Sequence, residues 1–230
     1  MSDFEDFIDD ALGPQPFGAG KEPGEQGSVE WLKARVGKVT ASRFGDVLDR
    51  LKNGKPGARR TAYLWEVVIE RLTGQPAQHY ASAAMRWGTE QEAYARLAYE
   101  AATGAIVAET GFHHHPTLEG VGGSPDGLVG DDGCVEIKCP WNSAHHLACW
   151  LDEMPADHTP QVQGIPWILG RQWCDFVSFD PRMPEGLQLY VQRVPFDPDY
   201  GARLDAEISQ FLAEAADLQE RIQKRERADA

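Results

Sequence analysis

The sequence predicts an α/β fold in which helices flank a mixed sheet of about five strands. Two patterns predict it. Apolar residues recur at three- and four-residue spacing in Tyr63, Val67, Val68 and Leu72, and again in Leu204, Ile208, Phe211, Ala215, Leu218 and Ile222. Between those helices, short β-branched or alternating segments are separated by glycine turns. A length of 230 residues, with 42% hydrophobic and 25% charged, suits one sizeable core or at most two small ones.

Residues 1–27 hold Pro14, Pro16 and Pro23, five glycines and seven acids against one lysine, which is the composition of a flexible acidic tail. Residues 28–230 read as a single domain. A helix is expected over Glu30–Arg35, and a second from about Thr40 to Leu51 with Thr40 or Ser42 as its N-cap. Asn53-Gly54-Lys55-Pro56-Gly57 is a loop by composition. Gly74 stops the helix of Tyr63, and the Ala-, Glu- and Arg-rich stretch 81–103 forms another, with Gly104 just beyond it. Residues 105–115, 121–129 and 134–139 read as strands, with Asp131-Asp132-Gly133 as a hairpin turn. Helices near 143–152 and 160–169, strands near 173–179 and 187–194, and a long amphipathic helix from about 198 to 225 complete the chain.

No apolar run approaches the roughly 18 to 20 residues of a membrane helix, and the opening MSDFEDFIDD is acidic, unlike a secretory signal. Cys134, Cys139, Cys149 and Cys174 form no CxxC pair and no zinc or iron–sulfur spacing, which fits a reduced, cytoplasmic protein. The net charge is −14. It is unevenly spread: Lys33 to Arg60 carries nine basic residues against two acids, +7, so the remainder is −21. Such a stretch can focus a polyanion onto one face of an acidic protein, or simply form solvated helix surface.

The chemistry is concentrated in Gly123-Ser124-Pro125-Asp126-Gly127 and Glu136-Ile137-Lys138. On a strand Glu136 and Lys138 point to the same side, and the hairpin folds Asp126 back toward Glu136. Two carboxylates this close raise each other's pKa unless a cation lies between them, and a hard divalent ion resolves that conflict. Lys138 then stands where it can orient or deprotonate a water, so the set describes a phosphodiester-hydrolysing site. On the preceding helix Glu90 and Glu92 lie on different faces, and Glu92 is the one expected to point inward.

Four blocks resemble the phage-lambda-type exonucleases, the YqaJ-type viral recombinases, within the PD-(D/E)XK nuclease superfamily with its restriction-endonuclease-like core. They are residues 31–42 (WLKARVGKVTAS), 87–92 (WGTEQE), Ser124-Pro125-Asp126-Gly127 with Glu136-Ile137-Lys138-Cys139-Pro140, and Gln161-Val162-Gln163 followed by Asp180-Pro181-Arg182-Met183. The resemblance implies that Asp126, Glu136, the Ile137 carbonyl and Glu92 hold Mg²⁺, about two ions per site, with Mn²⁺ able to substitute. Lys138 would position the attacking water, with Gln161 beside it. Arg35, Thr40, Ser42 and Ser124 would grip a 5′-phosphate, a role that suits a guanidinium fork and hydroxyls. The implied activity is 5′→3′ degradation of one strand of duplex DNA by a ring-shaped trimer that feeds a single-strand annealing protein, in the host cytoplasm. The alternatives are an endonuclease on the same fold and a non-catalytic DNA-binding protein on the same scaffold.

Pro166 is expected to kink the helix after Gln161 or to delay its start. His113-His114-His115 reads as a strand end leaving the sheet, because adjacent strand side chains point to opposite faces. His145 and His146 read as structural, and Trp87 and Trp141 as flanking the cleft, where an indole can stack on a base.

Overall fold

The computed structural model describes residues 26–77 and 82–228. The tail expected over 1–27 therefore lies outside the described residues except for Gln26 and Gly27. Ser28 opens α1 (Val29–Arg35), its side chain accepting from Trp31 N at 3.1 Å. The chain then forms β1 (Val39–Thr40) and a 3-10 turn, Ala41–Arg43, before the short α2 (Phe44–Val47). This replaces the single helix expected from Thr40 to Leu51. Thr40 is extended and makes no capping bond; its N–H is spent on the Tyr63 hydroxyl at 3.1 Å. Arg43 breaks the run by turning its guanidinium to Asp46 and Glu66 and laying it over the Tyr63 ring at 4.1 Å.

Next come α3 (Ala58–Thr73) and α4 (Ala83–Thr103), each ended by a left-handed glycine, Gly74 and Gly104. Five short strands follow the pattern of the sequence only in part. The expected strand 105–115 is two, β2 (Val107–Ala108) and β3 (His113–His114), which join different sheets. The expected strand 121–129 is likewise split into β4 (Val121–Gly123) and β5 (Gly127–Val129), leaving Asp126 in the turn between them. β6 (Gly133–Lys138) pairs antiparallel with β5, placing Gly127 opposite Val135. The hairpin turn is Gly130-Asp131-Asp132, one residue earlier than expected. Gly130 takes φ 54°, whereas Gly133 is strand residue, where an added Cβ would lie 2.1 Å from the Trp173 ring.

The chain finishes with α5 (Ser143–Asp152), α6 (Thr159–Leu169), β7 (Trp173–Phe179), β8 (Leu189–Pro195) and α7 (Pro198–Ala228). The helix α6 starts before Gln161 and runs through Pro166, so the expected late start is not observed. The main sheet has the order β2-β5-β6-β7-β8, mixed because β6 and β7 run parallel. A second sheet, β1-β4-β3, was not expected; it joins Val39 to Val121 across the fold. One face of the main sheet carries the larger core, in which Cys134, Cys174 and Phe176 meet Val162 and Ile165 of α6 and Leu204, Ile208 and Phe211 of α7. On the other face Val135, Ile137 and Val177 meet Ala95 and Tyr99 of α4. Buried Arg60 pairs with Glu214 at 2.6 Å and ties α3 to α7. The α7 seam stays on the core as far as Leu218, and Ile222 is exposed.

Candidate active site

Strand alternation puts Glu136 and Lys138 on the α6 face of the sheet, as Cys134 is, and α6 delivers Gln161 above them. Lys138 Nζ donates to Glu136 Oε1 at 2.6 Å and to Gln161 Oε1 at 3.3 Å. Asp126 is brought in by the turn before β5: its N–H donates to Val135 O, and its Oδ2 accepts from Ile137 N at 2.7 Å. Gln26 reaches the same turn, donating to Pro125 O at 2.8 Å.

These groups strain against their burial. Desolvation, then the charge of Asp126, pushes the Glu136 carboxyl up to about 8. Asp126 is raised as well, by desolvation, although Lys138 and the Ile137 N–H pull against it. Burial would lower Lys138, but Glu136 and Asp126 outweigh it and hold the ammonium above its ordinary value. The neighbouring Cys139 thiol is pushed up to about 12 by burial and by the charges of Glu92 and Asp126. The residues fit a hard divalent cation on one specific ground: Glu136 Oε2 is buried without a hydrogen-bond partner beside a second desolvated carboxylate. Among the described residues no three His, Cys, Asp or Glu side chains gather at metal-ligating spacing. Glu92 does not complete such a cluster. Its Oε1 accepts from Arg96 at 3.1 Å, and Arg96 also pairs with Glu109 at 2.5 Å.

Gly127 fixes the turn that carries Asp126. A Cβ there would sit 2.0 Å from Val107 Cγ1 and 3.2 Å from Val135 Cγ1. Gly127→Ala is expected to cost about 1–3 kcal/mol through overpacking. Thermal denaturation should show a fall of several degrees; an unchanged midpoint would mean that β2 yields freely.

The other residues singled out in the sequence converge nearby. The Arg35 guanidinium lies over the Trp31 ring at 4.1 Å, and its Nη2 donates to Thr40 Oγ1 at 3.5 Å. Thr40 Oγ1 and Ser42 Oγ are 3.4 Å apart. Trp31 Nε1 donates to Ser124 Oγ at 2.8 Å, which joins this group to the turn of Asp126. Desolvation lowers Arg35 from its ordinary value, and the charges of Tyr63 and Glu70 only partly offset it. A half-buried cation flanked by hydroxyls has the chemistry to receive an anion.

Some residues that pack around the site escaped the sequence reading. Trp31 fastens Ser124, and Arg96 could have been found from its i+4 spacing to Glu92. His158, three residues before Gln161, stacks on Phe176, whose position pairs with Glu136. Burial, then Lys138, pushes its imidazole down to about 4. His113 and His114 pair with β4 inside the second sheet rather than leaving it. Buried His146 bonds Ser178 and Leu187 O, His113 bonds Thr110, and His115 accepts from Leu118 N.

The fold is that of exonucleases of the PD-(D/E)XK type. It matches the crystal structure of an alkaline exonuclease, LHK-Exo, from Laribacter hongkongensis, with TM-score 0.81 and 42% identity over 87% of this chain and 99% of that one. The structure of LHK-Exo in complex with dAMP matches to the same extent. A phage-related exonuclease from Haemophilus somnus 129PT, 17% identical over 82% of this chain and 96% of that one, shares the fold with TM-score 0.64. No curated protein matches the chain. Residues 30–172 match the model of the YqaJ-like viral recombinase domain, and the chain belongs to that family.

Proposed function

We propose that the chain is a Mg²⁺-dependent DNA exonuclease that degrades one strand of a duplex 5′→3′ from a 5′-phosphorylated end, in phage or prophage recombination. One observation carries the reading. The turn Ser124-Pro125-Asp126 joins a carboxylate–lysine site to an arginine–hydroxyl receptor, so one short segment couples a cutting centre to an end sensor. The family and the exonuclease relatives support it, as does the binding of a nucleoside monophosphate by LHK-Exo.

In this reading Asp126, Glu136 and the Ile137 carbonyl hold the cation, with Glu92 holding a second ion or its waters. The cation, Mg²⁺ or Mn²⁺, supplies Lewis-acid stabilisation of charge on the scissile phosphate. Lys138 directs its ammonium at the attacking water, and Gln161 fixes the direction of that ammonium. Arg35, Thr40, Ser42 and Ser124 receive the terminal phosphate. A trimeric assembly, a single-strand annealing partner and a cytoplasmic setting belong to the same proposal. Among the described residues no helix is long and apolar enough to cross a membrane.

The test is a time course on linear duplex with 5′-phosphate or 5′-hydroxyl ends and on closed circular duplex, with and without Mg²⁺. Digestion confined to linear duplex with Mg²⁺ is expected; cutting of the closed circle would favour the endonuclease. Arg35→Ala is expected to lower the preference for a 5′-phosphate by about tenfold or more, since a charge-assisted bond to phosphate is lost. An unaltered ratio between the two ends would remove Arg35 from the end sensor.

A further inference from the structure

The loop that leaves β6 after Lys138 is clamped more firmly than the two carboxylates require. Arg182 Nη2 donates to Pro140 O and Trp141 O, both at 3.1 Å. The same guanidinium grips Asp180 through Nε at 2.8 Å and Nη2 at 2.9 Å, and it lies over the Trp87 ring at 4.6 Å. Asp180 is fully buried, so the anchor is fixed within the fold. Trp141 meets Trp87 edge-on, with centroids 5.9 Å apart and rings at 86°. Its backbone is pinned and one edge is supported, yet Trp141 stays 55% exposed.

An indole held in this way loses little conformational entropy when something flat stacks on it. It follows Lys138 by three residues, which places its Cα at most about 11 Å from that of the catalytic lysine. A DNA strand whose phosphate lies at Lys138 presents a base to this neighbourhood, and base–aromatic stacking is tolerant of sequence, as an enzyme that digests any sequence requires.

We propose that Trp141 is a nucleobase-stacking residue that packs on a base of the DNA strand beside the scissile phosphate, and that Arg182 is the positioning residue that sets its place. The proposal rests on the nuclease reading and extends it. Asp180-Pro181-Arg182 thereby acquires a physical role, carrying the clamp from β7 to the loop after β6.

The test uses the full chain under single-turnover conditions on linear duplex, either intact or with one abasic nucleotide placed in turn at each of the first four positions of the digested strand. On intact DNA, Trp141→Ala is expected to slow cleavage by about tenfold, and Trp141→Phe to recover most of the rate. At one abasic position the wild type should fall to the rate of Trp141→Ala, and the two should then be indistinguishable. Arg182→Ala should lose the same abasic sensitivity while keeping a cooperative thermal transition. If Trp141→Ala cleaves intact DNA at the wild-type rate, or is slowed equally at every abasic position, the stacking role is wrong. A wild type inert on intact duplex would overturn the nuclease reading, and the stacking proposal with it.

Discussion

Replacing Lys138 by alanine is expected to lower the rate of duplex digestion by about 10³-fold or more, a loss near 4 kcal/mol of transition-state stabilisation. Two effects combine. The ammonium that donates to Glu136 at 2.6 Å and to Gln161 at 3.3 Å disappears, so no cation directs the water. Glu136 also loses the neighbour that pulls its carboxyl down against desolvation and Asp126, so it holds its proton more tightly and offers a cation less charge. The fold should survive, because Lys138 ends β6 and its side chain is partly exposed, whereas Val135 and Ile137 bind the strand to α4. Gln161→Leu removes only the orienting acceptor and should cost less, about tenfold. The measurement is single-turnover digestion of a 5′-phosphorylated duplex, with end binding measured separately. Undiminished digestion by Lys138→Ala would reject the site.

The parts of this site legible in the sequence are those governed by short-range rules. Period-two alternation put Glu136 and Lys138 on one side of a strand, and β6 and β7 appear where β-branched and aromatic residues recur. Helix α5 spans the expected residues because Asn142 supplies an N-cap at 3.0 Å and its apolar face is well spaced. What escaped depends on distant partners. β1 and β3 have two residues each, too few to show any period, and exist because Val121–Gly123 lies between them. The helix expected from Thr40 is broken by Tyr63 and Glu66, twenty or more residues away. Pro166 does not interrupt α6: it lies one turn before the Gly170 cap, whose N–H bonds the Pro166 carbonyl, and tertiary packing around Ile165 and Ile168 holds the helix together. The Arg182 clamp joins residues about forty apart, which no local pattern reveals.

Magnesium affinity is expected to rise by about tenfold per pH unit between pH 6 and 8, because the cation must displace one proton from Glu136. The sign follows from the folded carboxyl lying at about 8, against an ordinary 4.5. Without metal, the folded state keeps a proton that the unfolded chain releases, so Glu136 favours folding at low pH. That contribution is lost as pH climbs from about 4.5 to about 8. In chelator the wild type should therefore lose about 2 kcal/mol between pH 6 and pH 8, a fall of several degrees in midpoint for a chain of this size. Glu136→Gln removes the titration and should flatten that fall, while also abolishing digestion. Added Mg²⁺ should raise the wild-type midpoint more at pH 8 than at pH 6, and calorimetry in two buffers of different ionisation enthalpy should register a released proton. A Mg²⁺-induced rise equal at both pH values, with no proton released, would mean that the buried carboxyl already stands ionised and that Lys138, not the cation, neutralises it.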